Sequence, residues 1–455
     1  MLVLTRARGE SVMIGDDVEI IVVDIRGDRA RLGVVAPTHI PIHRKEVYEA
    51  IRRENMESAR MQPSDLDGAS APGAVRTPGP AARSTPQNSP LFRSWKDPVS
   101  GVESFILAER VAPVQQSFYF TNPPFSADGR FLWLYCAFPP GGNSLWGRSL
   151  GVVDFEDGTV RHFPETQFGA ASPMVDAGTG EVYWCSGPRI YRRGPRPVQQ
   201  AVLVNRLPDN LVRQHRVISA ATHLTMSADR RHLSVDAKIG PRWYAGAAPL
   251  NGSEVEIWQE FEVCHNHAQF NPTDADLMLL ARDWWVDEAT GMKTAHPRQR
   301  LWTLRRGGRA APVFPQEDPN PRAHEWWSAD GRHIWYVDYV NGTECVAADT
   351  AQRRTVWPGG TCHSHCDASG SLLVGDIGTY QWASGCRVSF YNARTGREVN
   401  IVTNMPPPPW PRETYHIDPH PQFCLNDRYI VYTTTVLGTV DVAVVPVEQL
   451  LEATA

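Results

Sequence analysis

"FSADGRFLWLY", residues 125 to 135, decides how this chain folds. An apolar residue leads into a polar Ser-Ala-Asp-Gly stretch, and a run of large apolar residues follows. An Asp-Gly turn between β-rich runs signals a tight hairpin. The pattern returns as "MVDAGTGEVYWCS" from Met174, "MSADRRHLSVDA" from Met226 and "FNPTDADLMLLAR" from Phe270. It continues as "WSADGRHIWYVD" from Trp327, "CDASGSLLVGD" from Cys366 and "FCLNDRYIVYTT" from Phe423. Successive copies start 39 to 57 residues apart, room for about four short strands each. They predict a mainly β protein whose residues 94–450 form a seven-bladed β-propeller. An α-solenoid would need long segments of helical period, and the sequence has none there.

Composition sets wider bounds. The 455 residues are 42% hydrophobic and 21% charged, ordinary values for a globular protein of two domains or one large repetitive one. A net charge of -5 excludes a chain whose whole surface traps nucleic acid or anionic membrane, though not a local patch. The 8 Cys are spread along the chain, which reads as reduced thiols, not a secreted disulfide framework. "MLVLTRARGE" interrupts any signal-peptide core with Arg6, Arg8 and Glu10, and no later stretch approaches a membrane span. A cytoplasmic protein with no membrane partner is the expectation.

Two further segments precede the propeller. In residues 1–60, "LVLTR", "SVMIG", "VEIIVVDI", "ARLGVVA" and "IPIH" predict five short strands, and "RKEVYEAIRRENMESARM" predicts one amphipathic helix through Val47, Ile51 and Met56. Residues 61–93 are rich in Pro, Gly, Ala and Ser and read as a flexible linker. A coil of that length spans about 30 Å.

Counting back three residues from the start of each repeat gives Asn122, Ala171, His223, His267, His324, His363 and His420. Five consecutive repeats thus carry histidine at one equivalent position, which sets the imidazoles around a common axis. Imidazoles can cap neighbouring turns, but five converging ones favour a metal or an anionic ligand. His265, Glu325, Arg282, His416 and Asp418 are placed by the sequence to reach the same channel. "TCHSHCDASG", residues 361–370, also invites a local zinc clip of two Cys and two His. Alternation along an extended strand would instead point Cys362 and Cys366 away from His363 and into the blade.

The first sixty residues resemble the carbon storage regulator (CsrA) family along their length, through "MLVLTRARGESVMIGDDVEI" and "APTHIPIHRKEVYEAI". The resemblance implies a homodimer of interleaved strands that binds GGA-containing loops of messenger RNA leaders and blocks ribosome access. The positions matching its RNA-contacting residues are Leu4, Arg6, Ile42, His43 and Arg44; Ala7 departs from the usual second basic residue. Lys plus Arg and Asp plus Glu balance over residues 1–60, so binding must rest on placement, with Arg6 and Arg44 suited to phosphate or guanine edges.

Residues 94–450 are similar, more distantly, to the oligogalacturonate lyases, through "SWKDPVSGV", "HEWWSADGRHIWYVDY", "CHSHCDASGSLLVGD" and "DPHPQFCLNDRYIVYTT". That resemblance implies manganese in a propeller channel and cleavage of a uronate oligosaccharide by β-elimination. By motif, His324 and His420 match metal ligands and His267 the general base, with Arg282 a candidate enolate stabiliser. Asp418 stands where the family has histidine and Tyr415 where it has a glutamine ligand; His416 or His363 would complete the shell. Three readings stay open: a metal-dependent lyase fused to an RNA regulator, a non-catalytic propeller binding a sugar acid or a protein, and a passenger propeller behind an RNA regulator.

Overall fold

A computed structural model describes residues 5–14, 18–26, 29–35 and 85–455, apart from 287–289, 296, 315, 317–319 and 380–384. Leu4, Ile42, His43, Arg44, the "IPIH" strand, the expected helix and residues 61–84 of the linker lie outside these. The chain divides into two compact units, Met1–Pro80 and Ala81–Ala455.

In the first unit, strands Ser11–Ile14, Val18–Arg26 and Arg29–Val35 form an antiparallel meander, with Ser11 opposite Ile21 and Glu19 opposite Val35. Met13, Ile14, Val23, Ile25 and Leu32 are exposed on it.

The second unit is built from seven antiparallel sheets among the described residues, six of four strands and one of five. Each repeat's turn lies between the first two strands of one sheet. In the fifth sheet the Ser328 hydroxyl donates to Asp330 at 2.5 Å, and Asp330 accepts from the Arg332 amide at 3.0 Å. Gly331 completes this turn at φ 69, a left-handed value that suits glycine. The same Ser–Asp bond recurs at 2.6 Å in the first sheet, Ser126 to Asp128, and the third, Ser227 to Asp229. The repeated sequence is thus a repeated turn, and it fixes where each sheet begins.

Consecutive sheets pack face to face in chain order, and the last packs on the first. The ring is closed by mixing the ends of the unit: Gln422–Cys424, Tyr429–Thr434 and Asp441–Pro446 are extended by Glu103–Leu107 and Phe92–Lys96, with Val444 opposite Phe105. Such closure leaves few open sheet edges. The core lies between sheets, where Trp133, Trp184, Tyr336 and Phe390 are fully buried; the Trp133 indole donates to the Gly180 carbonyl of the next sheet at 2.9 Å. A helix the sequence did not suggest, Val447–Ala453, ends the chain with Leu450 buried beneath it. Among the described residues no helix is long and apolar enough to cross a membrane.

Candidate active site

Each ring histidine stands on, or close to, the first strand of its sheet, and backbone irregularity there aims it inward. In the fourth sheet the pairing register jumps between Asn266 and Gln269, and in the fifth between Ala323 and Trp326, so two residues oppose one. Such bulges re-aim side chains and cluster at rims and sites. His267, His324 and His420 take left-handed backbone at φ 54, 56 and 44, a conformation that costs a non-glycine residue free energy and persists only where the surroundings enforce it.

The five histidines and His416 line one cavity of about 800 Å³. His223 and His267 stack with ring centroids 4.2 Å apart. His324 and His363 lie 4.1 Å apart, and His363 and His420 4.2 Å apart. Tyr119 sits between the two groups, its ring 4.8 Å from both His223 and His420.

One side of the cavity carries a chain of paired charged side chains behind His267. The His267 Nδ1 lies 2.9 Å from Glu325 Oε1. Glu325 is fully buried, and its other oxygen accepts from Arg300 Nε at 2.8 Å, while Arg300 Nη1 reaches Asp283 at 2.9 Å. Burial opposes ionisation of Glu325, but the Arg300 guanidinium and the His267 hydrogen bond outweigh it and hold the carboxyl well below its usual range. An ionised carboxylate only accepts, so the His267 Nδ1 that faces Glu325 carries a proton, and the ring lines the cavity.

The opposite side is suited to a metal ion. Burial holds His324, His363 and His420 neutral, pushing His363 down to about 3 and the other two well below the imidazole range. Neutral imidazole is the ligating form. His363 Nδ1 is 2.9 Å from Asp376 and His324 Nδ1 contacts the Cys362 carbonyl, so each keeps Nε2 for a ligand, while the buried Nε2 of His420 has no hydrogen-bond partner. Oriented imidazoles of this kind, with a carboxylate behind one of them, are how proteins present histidine to first-row metals. His363, Asp418 and His420 can offer ligand atoms within 4.8 Å of one another, as can His324, Cys362 and His363. Asp418 also takes a hydrogen bond at 2.7 Å from Arg412.

Four expectations need correction. His265, expected in the channel beside His267, stacks on Phe261 at 4.0 Å outside the cavity, because the bulge between Asn266 and Gln269 turns the two histidines apart. Arg282 pairs across the sheet with His265 and does not line the cavity; Arg300 does. The same break in the sixth sheet, between Thr361 and Ser364, brings Cys362 beside His324 and His363 when alternation had pointed it away. The compact zinc clip does not form: Cys366 packs with Trp326 and Trp335, and His365 accepts from the Phe423 amide at 3.2 Å. Glu325 lies beneath His267, not in the channel itself.

Sequence reasoning missed Tyr119, Arg148, Arg300, Asp283 and Asp376. One signal was available: Asp376 and Asp236 stand at the same offset from Cys366 and Met226. Both are buried behind the histidines, where they accept backbone amides of a neighbouring sheet, His420 for Asp376 and Ala268 for Asp236.

Fold and site together define a closed β-propeller with an imidazole-lined cavity; a separate strand meander precedes it in the chain. Through that first unit the chain belongs to the CsrA global regulator protein family, whose model matches residues 1–53. It is 50% identical over 70 residues to the translational regulator CsrA of Rhodopirellula baltica, covering 15% of this chain and 100% of that protein. It is 54% identical over 59 residues to CsrA of Syntrophomonas wolfei, covering 13% of this chain and 78% of the relative. The propeller shares its fold with oligogalacturonate lyases. A manganese complex of one has a TM-score of 0.60 at 16% identity, and the enzyme of Vibrio parahaemolyticus 0.59 at 14%; each match covers 78% of this chain and 96% of the other.

Proposed function

We propose that this chain joins a CsrA-type regulator of translation to a metal-dependent propeller that cleaves oligogalacturonate, or a related uronate, by β-elimination. The observation that carries the propeller half is the His267–Glu325–Arg300 relay facing a cluster of neutral imidazoles across one cavity. His324, His363, His420 and Asp418 would hold a divalent ion, Mn2+ by analogy with the lyase complex. When bound, such an ion supplies positive charge beside the uronate carboxylate and acidifies the neighbouring C–H. His267 Nε2 removes that proton, the electron pair left behind forms a double bond, and the adjacent glycosidic C–O bond breaks with its pair going to the leaving oxygen, which takes a proton from water. Glu325 holds the ring in place and stabilises the imidazolium that results.

The test is direct. Full-length protein incubated with oligogalacturonate and Mn2+ should show rising ultraviolet absorbance from the conjugated unsaturated product; no rise with any of several uronates would remove the lyase reading. The bond from Arg412 to Asp418 favours a second reading, in which the propeller binds a sugar acid without turnover. Ligand binding with no product would select it.

For the first unit we propose a cytoplasmic homodimer that binds GGA-containing leaders and represses their translation. The apolar side chains exposed on the strand meander support a partner surface. Arg6 is exposed and braced by bonds to the carbonyls of Ser11 at 3.1 Å and Thr5 at 3.0 Å, a pre-set pose for a phosphate or a guanine.

A further inference from the structure

Four arginines are buried among the described residues: Arg148, Arg193, Arg300 and Arg322. Three have carboxylates: Arg193 pairs with Glu165, Arg300 with Glu325 and Asp283, and Arg322 with Asp338. Arg148 has none among the described residues. It is 6% exposed, and its buried Nε makes no hydrogen bond. The guanidinium lies over the rings of Tyr135 at 5.1 Å and Phe168 at 5.0 Å, at the wall of the cavity. Aromatic faces steady a cation but do not neutralise it, and a buried charge without a counter-ion is costly. Its strand, Arg148–Asp154, follows a loop on which Leu145 and Trp146 are exposed, and Leu145 lines the cavity beside Arg148.

We infer that Arg148 is the carboxylate-recognising residue of this cavity, a preformed anion site that binds the acid group of a sugar acid while the apolar loop meets the sugar ring. The planar fork of a guanidinium matches a carboxylate with two parallel N–H bonds, a geometry lysine cannot copy. Only the sugar part of this assignment rests on the uronate reading. The anion site stands on a buried guanidinium at the cavity wall with no carboxylate partner among the described residues.

The experiment is thermal melting of the full chain, wild type and Arg148→Met, with trigalacturonate, its methyl ester or citrate. Without ligand, Arg148→Met should melt no lower than wild type, because it removes an uncompensated charge and keeps an apolar stem; an arginine that merely props the fold would give a fall. Trigalacturonate should raise the wild-type melting temperature and the ester should not, with apparent affinity about 10- to 100-fold weaker in the variant. A shift with citrate alone, lost in Arg148→Met, would keep the anion site and remove the uronate reading. A trigalacturonate shift of equal size in the variant, or no shift with any anion, would overturn the inference.

Discussion

Replacing Glu325 with Gln isolates the electrostatic half of the proposed proton transfer. The substitution keeps the shape of a fully buried side chain whose two oxygens lie 2.9 Å from His267 Nδ1 and 2.8 Å from Arg300 Nε. It removes one negative charge. Arg300 retains Asp283 at 2.9 Å, so the arginine stays compensated and the fold should lose only a charged hydrogen bond, about 1.5–3 kcal/mol. Catalysis should lose more. With charge centres about 4 Å apart and an effective dielectric constant near 20, a carboxylate stabilises an imidazolium by about 4 kcal/mol. Each 1.36 kcal/mol is a factor of ten in rate, so the initial rate of unsaturated uronate formation should fall about 1,000-fold, with KM little changed. The amide can also offer Nδ1 its N–H and so hold the ring in the wrong tautomer, which deepens the loss. The assay is ultraviolet absorbance under saturating substrate, beside a circular dichroism melt of the same preparation. A variant that keeps its fold and more than a tenth of the wild-type rate would refute the relay.

Two further outcomes follow from other parts of the molecule. Arg6→Ala in the first unit should weaken binding to a GGA-containing leader about tenfold and reduce the slope of log affinity against log salt, with propeller activity unchanged; an unaltered slope in a filter-binding titration would remove Arg6 from the interface. Burial pushes His162, His265 and His365, all outside the cavity, down to about 4. Their unfolded value is about 6.5, so between about pH 6.5 and 4 the unfolded chain binds protons that the folded chain refuses. Stability is therefore full above that window and falls with pH inside it, by up to about 1.4 kcal/mol per pH unit for each histidine. A denaturation midpoint that does not move between pH 7 and pH 5 would contradict this.

The repeated turn carried the fold into the sequence because its chemistry is local. Ser, Asp and Gly close the hairpin through bonds among near neighbours, so "SADG" predicts its own geometry wherever it stands. The ring of histidines was legible for the same reason, since equal offsets from equivalent turns place residues at equivalent depths. What alternation could not show was the bulges. At His267 and at Cys362–His363 the backbone departs from the two-residue period, which moved His265 out of the cavity and Cys362 towards it. Arg300 and Asp283 lie far along the chain from the residues they serve, and nothing near them in sequence marks a partner. Arg148 was invisible for a further reason: its reading depends on burial without a carboxylate partner among the described residues, which spacing in the sequence does not show. In the first unit the family was legible because the resemblance runs through most of its sequence: the family model matches residues 1–53.

The central claim is that one chain carries a translational regulator and a metal-dependent uronate lyase. Metal content and product formation, measured together on full-length protein and on a His324→Ala, His420→Ala double variant, test it most directly. Wild-type protein should hold about one divalent ion per chain and cleave uronate, and the variant should lose both while still melting cooperatively. A variant that binds metal and cleaves as wild type does, or a wild-type protein that takes up no divalent ion, would contradict it.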